Sequence, residues 1–233
     1  MSITHFIARM IADYDKQDSL GTKLRAKRIV PLLSMIEEFY SVYGFVNIID
    51  IGGTEEYWQI VPNHFLDKHK VTITVINLPD TGMPADHSHY RFVEADGCAL
   101  AKFADKAFHI AHSNSVIEHV GDWSRMVSFA SEISRVALSY FVQTPNFWFP
   151  MEPHFMTPFF HWLPKPTQLF LVMHFQLGHR NLATNINEAV RLVDSVSLLS
   201  KKMFSALFDD AKINYETFLF MRKSFIATRK KIC

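Results

Sequence analysis

Polar residues and glycines stand at the ends of short apolar runs along this chain. Asp50-Ile51-Gly52-Gly53 closes the first run, Asn77-Leu78 the second, Asp96-Gly97-Cys98 the third, Ser113-Asn114 the fourth and Gln143-Thr144-Pro145-Asn146 the fifth. A glycine pair lets the backbone approach a ligand closely and turn tightly. Asn77 can hydrogen-bond the hydroxyls of a ribose, and Asp96 can accept from an exocyclic amine. A second set suits proton transfer. Glu118-His119 follow the fourth run, while Glu152, His154 and His161 lie beyond the fifth. Imidazole titrates near neutral pH and can take a proton from a hydroxyl or amine. Each residue also has an ordinary reading. Asn77 can form a turn before Pro79, Asp96 can cap a helix, His119 can pack locally, and a chain with 12 His sets several near any cleft by chance. No metal is expected: His109 and His112 fall on opposite faces of a strand, and no tight ligand spacing appears.

These residues need elements to hold them. Residues 2–14 place Ile3, Phe6, Ile7, Met10 and Ile11 on one helical face, and a second helix is predicted over about 22–42, with Pro31 kinking or dividing it. Residues 45–51 then read as a strand buried on both faces. Thr54–His64 reads as a short helix capped by Thr54. Further strands are predicted at 71–76, 90–94, 107–112 and 138–144, with a helix running through Val136. Strands alternating with helices imply a parallel sheet covered on both faces. Residues 145–180 hold six of the ten prolines and lack periodicity, so an irregular aromatic, Pro-rich insertion is expected there. Helices near 187–198 and 200–209 precede strands at 215–220 and 224–228. Only three residues separate those strands, too few for a crossover, so they should pair antiparallel.

The expected fold is therefore α/β: a Rossmann-like, mostly parallel seven-stranded sheet with an antiparallel closing strand. It forms one domain over 1–233, comprising a helical extension (1–44), a ligand-binding core (45–145), an insertion or lid (146–186) and closing helices with a hairpin (187–233). The ligand should lie beyond the carboxyl ends of the strands, at the switch point.

Composition narrows the classes. The chain has 233 residues, 48% hydrophobic and 20% charged, with 24 Lys plus Arg against 23 Asp plus Glu. A net charge of +1 supplies no footprint for nucleic acid, and disordered or disulfide-framework classes are excluded. Cys98 and Cys233 make no disulfide framework, and the start of the chain lacks a signal-peptide layout, so a cytoplasmic protein is expected. No apolar run reaches the 18 or so residues that span a bilayer. The chain holds 21 Phe and only 8 Gly, and eight of the Phe fall within 141–175. That aromatic arm, with Trp148 and Trp162, can wall an apolar substrate pocket, form a dimer or partner interface, or touch a membrane surface beside Lys165 and Arg180.

Over residues 45–145 the chain resembles the class I S-adenosylmethionine-dependent methyltransferases. Ser113-Asn114-Ser115-Val116-Ile117-Glu118-His119-Val120 is close to the family's fourth-strand segment, Asp50-Ile51-Gly52-Gly53 to its first motif, and Asp96-Gly97 to its adenine-contacting acid. Leu198-Leu199-Ser200 leading to Lys223-Ser224-Phe225-Ile226-Ala227, and Thr144-Pro145-Asn146 with Glu152-Pro153-His154, look like a small-molecule subset. The resemblance implies S-adenosylmethionine as cofactor and methyl transfer to an O or N atom of a small-molecule, lipid-like or sugar-like acceptor. Asp50, Ile51, Gly52, Gly53, Asn77, Leu78, Asp96, Gly97, Cys98, Ser113 and Asn114 would hold the cofactor. His119, His154 and Glu118 would be catalytic, and Asn146, Trp148, Glu152 and His161 would face the substrate. Thr54, Glu55 and Glu56 stand where the first motif continues with glycines, and Asn77 where the family carries Asp or Glu. From another class, the same chain reads as a catalytically degenerate relative serving as a partner or regulatory subunit. A nicotinamide-dependent oxidoreductase ranks last, because G-x-G-x-x-G and an acid ending the second strand are both missing.

Overall fold

The computed structural model describes residues 20–79, 82–178 and 180–232, with the backbone alone over 20–25. The predicted helix at 2–14 and Cys233 lie outside the described residues. α1 (Leu20–Tyr43) runs through Pro31 without dividing and buries Leu32, Met35, Ile36 and Phe39. It leads into β1 (Val46–Ile51), whose β-branched run is buried along its length except at Asn47. Pro62 splits the predicted helix at 54–64 into α2 (Glu55–Trp58) and α3 (Asn63–Lys68). Next come β2 (Val71–Asn77), β3 (Tyr90–Glu94) and β4 (Phe108–Asn114). A 3-10 turn at Ile117–His119 precedes α4 (Trp123–Val136), so the single helix expected here is interrupted. Gly121, with φ +120°, sits at the break. α4 packs onto the sheet and feeds β5 (Ala137–Pro145).

The insertion is more regular than its composition suggests. It holds a two-stranded ribbon, β6 (Met151–Glu152) and β7 (Thr157–Pro158), a 3-10 turn at Phe160–Trp162, and a helix, α5 (Lys165–His174). Pro164 and Pro166 start that helix rather than break it, because a helix's first turn needs no N–H from them. α6 (Ile186–Asp194) and α7 (Lys201–Leu207) follow, then β8 (Lys212–Phe218) and β9 (Met221–Arg229).

The sheet order is β3-β2-β1-β4-β5-β9-β8. The first five strands run parallel, and β9 pairs antiparallel with β5 and with β8, the latter as the short connection required. Alternate side chains of β1 feed opposite cores: Ile48 packs with α1, Trp58 and Phe141, whereas Ile49 and Ile51 pack with Phe129 of α4 and Phe204 of α7. The insertion has its own small core, Phe155, Phe160, Val172 and Leu177 with Ala183 and Ala189. Among the described residues no helix is long and apolar enough to cross a membrane.

Candidate active site

The order reverses between β1 and β4, and a cleft of about 330 Å³ opens there at the carboxyl ends of the strands. Its wall takes Ile51 and Gly52 from β1, Asn77 and Leu78 from β2, Asp96 and Gly97 after β3, and Val116, His119 and Val120 after β4. The glycines are fitted to their neighbours. Gly52 has φ +72°, and a Cβ there would lie 2.6 Å from Val116 Cγ2; one on Gly97 would lie 2.6 Å from Ile51 Cγ2 and 2.9 Å from the Phe129 ring. Bare backbone therefore faces the cleft at two points where a side chain does not fit.

Asn77 Nδ2 donates to the Gly53 carbonyl at 2.9 Å, tying the end of β2 to the β1 turn. Asp96 accepts from the Cys98 N–H at 2.9 Å through Oδ1 and from Arg125 Nη2 at 2.8 Å through Oδ2. Burial raises the Asp96 pKa, but these donors outweigh it and hold the carboxyl below its usual range. Each oxygen keeps acceptor capacity for a ligand donor. Arg125 and Phe129 of α4 also line the cleft and were not singled out in the sequence. Asp122 caps α4 by accepting from the Arg125 N–H, and Arg125 Nε donates to the Val120 carbonyl at 2.6 Å, so two local contacts hold Arg125 in place.

Several predicted cofactor ligands sit beneath the wall rather than on it. Asp50 is fully buried; its Oδ2 accepts from Trp58 Nε1 at 2.7 Å and its Oδ1 pairs with His112 Nδ1 at 2.6 Å. The β1–β4 register sets Asp50 directly beside His112, so this contact follows from the pairing. Gly53 packs against that carboxylate. Ser113 is also buried, and its hydroxyl donates to the Ile51 carbonyl at 3.0 Å. Cys98 reaches the Arg125 carbonyl, and burial, then Asp96, pushes its thiol up to about 11. Asn114 ends β4, with Oδ1 buried and without a hydrogen-bond partner among the described residues. Glu55 is paired with His87 at 3.1 Å, and neither it nor Glu56 is among the residues that line the cleft.

At the cleft edge four proton-active groups meet: Glu118, His119, Glu152 and His154. His119 lines the cleft, its Nε2 2.9 Å from His154 Nε2 and its Nδ1 2.9 Å from the Ser195 carbonyl oxygen. His154 Nδ1 lies 2.7 Å from Glu152 Oε1, and Glu152 Oε2 accepts from the Phe155 N–H at 2.5 Å. Glu118 is buried, accepts from Thr144 Oγ1 at 2.9 Å, and is pushed by burial up to about 7. Desolvation lowers His119 below the ordinary imidazole value. The β6–β7 ribbon and the segment after α6 thus converge on the exit of β4, over sequence separations of 35 and 76 residues.

The other predicted substrate residues stand apart from this cluster. Asn146 is buried and pins the insertion, donating to the Arg222 carbonyl and accepting from the Trp148 N–H. Trp148 is 65% exposed. His161 Nε2 donates to the Phe147 carbonyl at 2.7 Å, and burial lowers its pKa.

A reversed β9 set between β5 and β8, beside five parallel strands, decides the fold. This is the class I methyltransferase fold. The PH0226 protein from Pyrococcus horikoshii OT3 shares the architecture at a TM-score of 0.52 and 12% identity, covering 97% of this chain and 99% of that one. An O-methyltransferase family protein from Burkholderia thailandensis aligns at a TM-score of 0.48 and 14% identity over 94% of this chain. This chain spans 59% of the Burkholderia protein's length. A SAM-dependent methyltransferase from Archaeoglobus fulgidus aligns at 0.48 and 9% identity, covering 85% of this chain and 93% of its own. At such identities the likeness is one of fold. No protein-family model and no curated protein sequence matches the chain. Within the methyltransferase fold, the cleft occupies the switch point where open α/β sheets bind their ligands.

Proposed function

We propose that this protein is an S-adenosylmethionine-dependent methyltransferase acting on an O or N atom of a small-molecule acceptor. The observation that carries the reading is the cleft itself: the exits of β1 to β4 all contribute to one wall, with Gly52, Asn77, Asp96 and Gly97 in it and His119 at its edge. Its volume of about 330 Å³ falls in the range of roughly 300–1,000 Å³ typical of small-ligand pockets. The residues fit an adenosyl ligand. Two glycines offer bare backbone, Asn77 has an amide oxygen for a ribose hydroxyl, and Asp96 has acceptor capacity for an exocyclic amine.

When bound, S-adenosylmethionine supplies an electrophilic methyl group on a sulfonium. The chain's own residues do the rest. Gly52 and Gly97 admit the ligand close to the backbone, and Ile76, Leu78 and Phe129 give the cleft apolar walls that exclude water. Glu118, His119 and His154 stand at the edge where an acceptor's nucleophile would be aligned. Most of the acceleration would come from that alignment. Asn77 bonds without charge assistance, so its share of the affinity is smaller than a carboxylate's would be. Calorimetric titration with S-adenosylmethionine should give saturable binding, and no heat at millimolar ligand would refute the reading.

A further inference from the structure

The two histidines at the cleft edge present an electrostatic contradiction when both rings are neutral. His119 Nδ1 faces the Ser195 carbonyl oxygen at 2.9 Å, and a carbonyl only accepts, so that nitrogen carries the proton. His154 Nδ1 faces Glu152 Oε1 at 2.7 Å, and an ionised carboxylate likewise requires a donor. A neutral imidazole has one N–H. Both Nε2 atoms are then bare, yet they face each other at 2.9 Å. A third acceptor completes the set. Glu118 is 1% exposed, its Oε1 is buried without a hydrogen-bond partner among the described residues, and one of its carboxylate oxygens lies within 4.8 Å of a ring nitrogen of each histidine. With both rings neutral and Glu118 ionised, three sets of lone pairs converge on one point, an arrangement that a bound cation satisfies.

We propose that Glu118, His119 and His154 form a binding site for one divalent transition-metal ion at the edge of the methyl-donor cleft. Two imidazoles and one carboxylate are the donor set of open zinc sites and of the iron facial triad. Nitrogens 2.9 Å apart subtend about 90° at an ion about 2.0–2.1 Å from each, which suits adjacent positions of a five- or six-coordinate site. Imidazole ligands favour zinc, iron, cobalt or nickel over magnesium and calcium. The supporting contacts are those that metal-bound histidines have: a carboxylate on His154 Nδ1 and a backbone carbonyl on His119 Nδ1. Glu152 is itself buried and held by the Phe155 N–H, and Thr144 fixes the second oxygen of Glu118. His119 belongs to the cleft wall, so the ion's open positions would lie beside the acceptor. Only that last role rests on the methyl-transfer reading; ion binding stands on the cluster itself.

The test is a titration of the full chain, stripped with EDTA and dialysed, with Co²⁺ and then Zn²⁺ alone. One equivalent of Co²⁺ should bind with visible absorption bands that Zn²⁺ abolishes. His154→Ala should weaken binding by about 100-fold or more, and Glu152→Gln by about 10–100-fold through loss of support for the ring. Circular dichroism checks that each variant is folded, and His119→Ala replaces His154→Ala if the latter is not. Absence of a Co²⁺ signal at millimolar metal, or equal affinity in folded variants, would overturn the site and leave a proton shared between the two imidazoles. S-adenosylhomocysteine titrated into the same stripped protein separates the two proposals. Metal binding without nucleoside binding would defeat the methyl-transfer reading alone, and nucleoside binding without metal binding would defeat the metal site alone.

Discussion

Replacing Gly53 with alanine puts a Cβ 1.8 Å from Asp50 Oδ2 and 2.2 Å from its Cγ. Real Cβ atoms essentially never come within 3.0 Å of such a neighbour, so the carboxylate must retreat by more than 1 Å. It has no free space to enter, being 0% exposed and gripped by Trp58 Nε1 at 2.7 Å and His112 Nδ1 at 2.6 Å. Hydrogen bonds to a charged group contribute about 1.5–3 kcal/mol each, so losing both should destabilise the fold by about 3–6 kcal/mol. That lies in the extreme tail for a single substitution. Urea denaturation of the wild type, Gly53→Ala, Asp50→Ala and the double variant forms a cycle. With the carboxylate removed, Gly53→Ala should cost less than about 1 kcal/mol, leaving a coupling of at least 2 kcal/mol between the two positions. A Gly53→Ala variant within about 0.5 kcal/mol of wild type, or an equal cost in both backgrounds, would refute the reasoning that Asp50 is a fixed support under the glycine turn.

Asp96→Ala should weaken S-adenosylhomocysteine by about 10–100-fold, the worth of one charge-assisted bond, and an unchanged Kd by calorimetry would exclude Asp96 from the cofactor contacts. His109 Nδ1 accepts the Asn47 N–H at 2.9 Å, and burial lowers its pKa. The folded state thus prefers the neutral ring. Its contribution to stability is intact above the unfolded value of about 6.5 and is lost as pH falls from there through the folded pKa. Titration by NMR should place His109 below 6.5, and a higher value would contradict the bond. The β8–β9 turn puts Leu219 at φ +47° and Phe220 at φ +66°, with side chains 68% and 105% exposed. Leu219→Asn with Phe220→Gly supplies the residues such a turn prefers, and should stabilise by about 1–2 kcal/mol, raising the melting temperature by roughly 2–8 °C. A lower melting temperature would show that these apolar side chains are held by packing.

Five strands, their polar exits and the reversed hairpin were legible because each carries local information: β-branched runs, Gly52-Gly53, Asp96-Gly97 and a connection too short for a helix. What was missed depends on tertiary register. Asp50 reads as a ligand residue from its place at the end of β1, but only the β1–β4 pairing shows that His112 claims its carboxylate. Arg125 has no motif of its own and becomes part of the site by reaching Asp96 across 29 residues. The helix at Lys165–His174 was hidden by prolines that belong to its first turn. Glu118, His119 and His154 were each singled out, yet their convergence depends on how the β6–β7 ribbon folds back over the exit of β4, which no spacing along the chain encodes.

A structure of the protein with S-adenosylhomocysteine tests the central claim most directly. The account predicts the adenosyl group in the cleft between β1 and β4, its ribose at Asn77, its adenine at Asp96 and its sulfur on the side of His119. A nucleoside bound elsewhere, or a cleft that stays empty at saturating ligand, would contradict it.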